Sequence, residues 1–142
     1  MIIRLFILLA LFACEKKIFS EENSFDNVIY IDNYDGDTVK VTLYAIHKLF
    51  GEKLSIRVRG IDTPEMRSKD ICEKAKAIKA RDFAKAFLVK GSITLKDCGR
   101  GKYFRLVCDV WVNAGSLGSK LIQNKLAVPY DGDKKPDVDW CK

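Results

Sequence analysis

Residues 70–90 form the one long helical pattern in the chain, and the segments on either side of it include five short, strand-like runs. Asp70 and Glu73 have the spacing of a capping box, Gly91 offers a C-terminal stop, and Ala80, Phe83, Ala84, Phe87 and Leu88 make an apolar stripe. Upstream, residues 28–31 and 38–44 read as strands, the second alternating Val39, Val41 and Leu43 against Thr38, Lys40 and Thr42, with Asp35-Gly36 as the turn between them. Residues 45–53 read as a connecting loop. Residues 54–61 make a third strand with Leu54, Ile56 and Val58 on one face and Arg57 and Arg59 on the other. Downstream, residues 93–95 and 105–112 read as two strands around a Gly99-Arg100-Gly101 turn, and residues 116–125 as a short helix bearing Leu117, Leu121 and Ile122. Five short strands interrupted by one long helix and followed by a short one predict an α+β chain built on a five-stranded barrel of the OB type.

Composition narrows the function. At 142 residues, 48% hydrophobic and 31% charged, the chain is long enough for one domain with a real core and too apolar to stay disordered. It is too short for a TIM barrel or a two-domain dinucleotide enzyme. The formal charge of +6 favours a polyanionic partner. Residues 1–13, MIIRLFILLALFA, carry Arg4 as their single charge and fall short of the roughly 20 apolar residues of a membrane-spanning helix, so they read as an export signal. The Leu11-Phe12-Ala13-Cys14 sequence resembles a bacterial lipobox, which implies a lipid anchor at Cys14; ordinary cleavage after Ala13 or after Ser20 is the alternative. Residues 14–27 read as a tether and 131–142 as a polar tail. An exported product is expected, whether periplasmic, secreted or held at a membrane as a lipoprotein.

Export leaves Cys72, Cys98, Cys108 and Cys141 in the domain, and an even number suggests disulfides in any of three connectivities. The preferred pair is Cys72 with Cys141, which pins the tail. Cys108 lies on the apolar phase of its strand, where a buried thiol is the simpler reading. A zinc site is not expected: there is no CxxC pair, and His47 is the sole histidine.

Two acidic bends hold the chemistry. Asp35-Gly36-Asp37-Thr38 reads as a hairpin turn when taken alone, as does the later Asp131-Gly132-Asp133. Ile61-Asp62-Thr63-Pro64-Glu65 follows the third strand, and Pro64 keeps Thr63 extended. Hard divalent cations take carboxylate and carbonyl oxygens, so Asp37, Asp62 and a carbonyl near Thr63 suit Ca²⁺, with Glu65 left to orient a water. Arg57 is either a solvated strand residue or a fork for a phosphate. Together these are the ingredients of metal-assisted phosphodiester hydrolysis.

The ordered set Asp35-Gly36-Asp37-Thr38, then residues 56–65 (IRVRGIDTPE), then Lys102-Tyr103-Phe104-Arg105 resembles the staphylococcal nuclease, or thermonuclease, family over about residues 28–130. The resemblance implies an OB-fold barrel and a Ca²⁺-dependent nuclease that cuts DNA and RNA and leaves 3′-phosphate ends. It implies that Asp37, Asp62 and the Thr63 carbonyl hold calcium, with Asp35 assisting through water. Glu65 corresponds to the proposed general base, Arg57 and Arg105 to the catalytic arginines, and Lys102 and Tyr103 to residues that hold a substrate phosphate. Cys98-Gly99-Arg100-Gly101 mimics the family's Tyr-Gly-Arg, but the spacing from Arg105 to Leu121 and Leu126-Ala127 selects Arg105. Phe104 stands where the family commonly has glycine, and Tyr130 lies out of register with a tyrosine of the nucleotide pocket. A monomer without a stable protein partner is expected. The alternative is a catalytically silent OB-fold lipoprotein that binds nucleic acid or protein.

Overall fold

The computed structural model describes residues 23–142. The leader, Cys14 and most of the tether therefore lie outside the described residues. The elements are β1 (Phe25–Asn33), β2 (Thr38–Leu43), α1 (Lys48–Gly51), β3 (Leu54–Val58), β4 (Ile61–Asp62), α2 (Ile71–Leu88), β5 (Ile93–Arg100), β6 (Leu106–Val112), β7 (Gly115–Ser116), α3 (Leu117–Gln123) and β8 (Val128–Pro129). The sheet order is β3-β2-β1-β5-β6-β7, and a parallel β3–β6 pairing closes β1, β2, β3, β6 and β5 into a barrel. The OB-type architecture expected from the strand pattern is the one observed.

The alternation of β2, β3 and β6 decides what fills the barrel. Val39, Val41, Leu43, Ile56, Val58, Cys108 and Val110 point inward and are buried, joined by Ile93 and Leu95 of β5. Helix α2 covers one end with Ala77, Ala80, Ala84 and Leu88 fully buried. Small residues dominate that face because the helix sits close to the chain beneath it: a Cβ on Gly36 would come within 2.8 Å of Thr63 Cγ2 and 3.0 Å of Ala80 Cβ. The acidic turn after β1, the bend after β4 and α2 thus meet at one point.

Several local details differ from the sequence reading. Strand β1 starts at Phe25, inside the stretch read as tether, and the loop before β3 contains the single helical turn α1. Asp70 caps α2 by accepting from the Cys72 and Glu73 amides, but Glu73 does not complete the box. Its carboxylate instead accepts from the Glu65 amide at 3.0 Å and from Ser68 Oγ at 2.6 Å, and Ser68 Oγ takes the Asp70 amide. Helix α2 ends on Val89 in a right-handed conformation, so Gly91 is not a left-handed stop; a side chain there would collide with Asn113. Strand β5 runs through Gly99 and Arg100, and the turn falls at Lys102–Phe104. Tyr103 and Phe104 both take left-handed φ, 61° and 58°, which explains why glycine suits the position before the arginine.

Cys72 and Cys141 are paired, as preferred, with Cα atoms 5.7 Å apart. Cys108 is not a free buried thiol: it is bonded to Cys98 on the neighbouring strand, Cα–Cα 4.2 Å. A register shift between Lys96 and Gly99, with Asp97 at φ 49°, brings Cys98 inward opposite it.

Candidate active site

The site lies at the mouth of the barrel, where register sets its first contact. Thr38 pairs with Arg57 across β2 and β3, so Arg57 emerges beside Asp37. Asp37 is almost wholly buried and uses both oxygens: Oδ1 accepts from Arg57 Nη1 and Oδ2 accepts from the Thr63 amide and Thr63 Oγ1, each at 2.9 Å. Arg57 also donates through Nη2 to the Ile61 carbonyl at 3.0 Å and to Asp62 Oδ1 at 3.3 Å. One guanidinium therefore ties together the two acidic bends, and it does so with only 18% of its side chain exposed.

Asp62 is buried as well, and its Oδ2 accepts no hydrogen bond, the one such buried side-chain atom among the described residues. Desolvating a carboxylate oxygen without a partner is costly, and a cation is the usual remedy. Lys135 Nζ stands 3.5 Å from this oxygen and 3.9 Å from Glu65 Oε2, in ion-pair range of both. Glu65 itself is half-exposed at the rim, its loop held by Glu73 and its Oε1 3.4 Å from the Arg67 amide. The carboxylates of Asp37 and Asp62, the Thr63 bend and Glu65 thus share one cleft of about 1050 Å³.

Asp35 holds the turn together by accepting from the Asp37 amide at 3.1 Å and the Thr38 amide at 2.7 Å. Burial raises its pKa above the usual aspartate range, against the Thr38 hydrogen bonds and Arg57, which lower it, and with Glu65 adding to the rise. Above the ordinary aspartate pKa the unfolded chain releases a proton that the folded one keeps, so stability falls as pH rises through the window up to the raised value. In chelator, Asp35→Asn should therefore melt higher than the parent at neutral pH, and the gap should close as pH drops below the ordinary aspartate range. Thermal melts across that range check this; a gap that widened in acid would refute the burial argument.

Arg105, Lys102 and Tyr103 line the same cleft. Among the described residues the Arg105 side chain makes no hydrogen bond or ion pair and is exposed to the cleft. Arg100, the rejected alternative, is spent on the turn: Nη1 donates to the Phe104 carbonyl at 2.8 Å and the guanidinium lies 5.9 Å from the Phe104 ring. Lys102 Nζ donates to the Gly132 carbonyl at 3.0 Å, and Tyr103 is 92% exposed. Tyr130 also reaches the cleft, its amide donating to the Gly60 carbonyl. Asp131-Gly132-Asp133 is a turn, with Gly132 at φ 99° and the Asp133 amide on Asp131 Oδ1.

Three contributors are invisible to motif reading. Asn33, buried at the end of β1, donates to the Asp35 and Arg81 carbonyls and so fastens the acidic turn to α2. Glu73 fixes the Glu65 loop. Lys135 sits in the stretch read only as polar tail; the Lys134-Lys135 pair following a second Asp-Gly turn was the one available signal.

A closed barrel whose mouth gathers buried carboxylates, arginines and a rim glutamate in one cleft defines an OB barrel of the nuclease class. The model for the family described as staphylococcal nuclease homologue matches residues 55–139, more than half of the chain, and the chain belongs to that family. Comparison with curated proteins gives no match. The family match begins within β3, so the placement of Asp35 and Asp37 beside Asp62 rests on the fold itself.

Proposed function

We propose that the protein is a Ca²⁺-dependent endonuclease that hydrolyses the phosphodiester bonds of DNA and RNA and leaves 3′-phosphate ends. The observation that carries this reading is the convergence of Asp37 and Asp62 on one half-buried guanidinium, with Asp62 Oδ2 lacking a hydrogen bond. An all-oxygen set of two carboxylates, with the Thr63 carbonyl as third protein ligand, fits a hard cation, and Asp35 supports the turn from behind. Calcium bound there supplies positive charge for a phosphate oxygen.

The chain's own residues divide the remaining work. Glu65, half-exposed and anchored by Glu73 through its backbone, takes a proton from the attacking water. Arg57 and Arg105 both line the cleft and offset the charge that builds on the equatorial oxygens of phosphorus. Lys102 and Tyr103 hold a flanking phosphate, and the surrounding lysines and arginines supply attraction that weakens with salt. Both disulfides favour an oxidising compartment, which supports export. The leader pattern and Cys14 support the reading that the product acts, as a monomer, in the periplasm, in the medium or at a membrane anchor.

Purified protein should degrade plasmid DNA and RNA with Ca²⁺ and stop on chelation, with product ends that a 3′-phosphatase makes extendable by polymerase. Binding of single strands with no cleavage in Ca²⁺ would favour the silent OB-fold reading instead.

A further inference from the structure

The chain after β8 is a strap fixed at both ends. At one end Val128 and Pro129 pair with Asp62 and Ile61, and the Tyr130 amide donates to the Gly60 carbonyl. At the other, Cys141 is bonded to Cys72 in the first turn of α2, Trp140 is buried, and Lys76 Nζ donates to the Trp140 carbonyl at 3.3 Å. Lys102 holds the strap just after β8, through the Gly132 carbonyl. The two anchors flank the bend that carries Asp62, Thr63 and Glu65, so the strap passes over it and delivers Lys135 to Asp62 Oδ2 and Glu65 Oε2.

Two cations thus face the acidic cluster, and they differ in kind. Arg57 is locked by Asp37, Asp62 and the Ile61 carbonyl. Among the described residues Lys135 makes only the 3.5 Å and 3.9 Å ion pairs and no hydrogen bond, and it is 54% exposed, so moving it exposes no apolar core and breaks no hydrogen bond there. It also stands at the one buried oxygen that nothing else satisfies.

We propose that Lys135 is a built-in counter-cation of the calcium site, held in place by the Cys72–Cys141 tether, which the metal ion must displace to bind. This rests on the calcium reading above. Lys135 neutralises Asp62 and Glu65 in the metal-free protein and, by competing, sets the affinity for the ion. The strap is what makes the competition local: with both ends fixed, the ammonium is kept near the site at a high effective concentration.

Ca²⁺ titration calorimetry on the full chain, supported by Tb³⁺ luminescence, tests this without reference to activity. Lys135→Met should bind the ion about tenfold more tightly, the scale of the attraction to Asp62 and Glu65 that the ion must otherwise break, at a separation of a few ångströms in a water-like dielectric. Opening the tether with Cys72→Ser/Cys141→Ser should tighten binding in the same direction in the parent and leave the Lys135→Met background unchanged. Unchanged or weaker binding by Lys135→Met overturns the proposal, and so does an equal effect of the tether variant in both backgrounds. If neither the parent nor Lys135→Met binds Ca²⁺, the calcium reading itself fails and this one with it. Binding by the parent with no response to Lys135→Met removes the displacement alone.

Discussion

Arg105→Ala should lower kcat on DNA by about 10²–10³-fold while leaving the melting temperature of the metal-free protein unchanged. The two halves of that result have separate origins. Loss of one preorganised donor at a charge-building transition state typically costs this much in rate. Stability is spared because the Arg105 side chain contacts no other side chain through a hydrogen bond or ion pair among the described residues. Arg57→Ala should behave differently, losing activity and also destabilising the fold by about 3–5 kcal/mol, because it strips the partner from buried Asp37 and frees the bend at Ile61 and Asp62. Steady-state kinetics and thermal melts on both variants separate a free catalytic arginine from one that also builds the site. Full activity in Arg105→Ala, or a parallel loss of kcat and stability there, would remove it from the mechanism. Arg100→Ala is the matched control: its guanidinium is committed to the Phe104 turn, so a larger kcat loss there than at Arg105 would reverse the register assignment.

What the sequence makes legible follows from how local each signal is. The strand alternation of residues 38–44 and 54–58, the stripe of α2 and the two acidic bends are written in contiguous residues, and they place Asp37, Arg57, Asp62 and Thr63 on adjoining elements. Side-chain pairings across the fold are not written that way. Cys108 lies on an apolar phase, and only the register shift in β5 turns Cys98 toward it. Glu73 has capping-box spacing, yet the Glu65 amide and Ser68 hydroxyl offer it better-placed donors than the start of its own helix. Lys135 reads as a solvated tail residue until the β4–β8 pairing and the Cys72–Cys141 bond lay the tail across Asp62. In each case the deciding contact joins residues that no local period relates.

The electrostatics of the acidic cluster predict a large response to metal. Asp37 and Asp62 are buried with a single half-buried guanidinium between them, so one carboxylate charge is left to a more exposed lysine. A cation that binds only the folded state stabilises it by about 2.7 kcal/mol at a hundred times its Kd. For a domain of this size that corresponds to a rise in Tm of roughly 8–15 °C. Ca²⁺ at that level should produce the rise, and potassium chloride at matched ionic strength should not, since screening acts weakly on buried charge. Asp62→Asn should abolish the calcium response while costing little stability in chelator, because an amide removes a buried charge whose Oδ2 has no hydrogen bond and still offers an acceptor to Arg57. Scanning calorimetry of the parent and variant with calcium or chelator checks the set. An equal calcium shift in Asp62→Asn would place the ion elsewhere, and no shift in a parent that cleaves DNA under the same conditions would mean that the ion arrives only with the substrate.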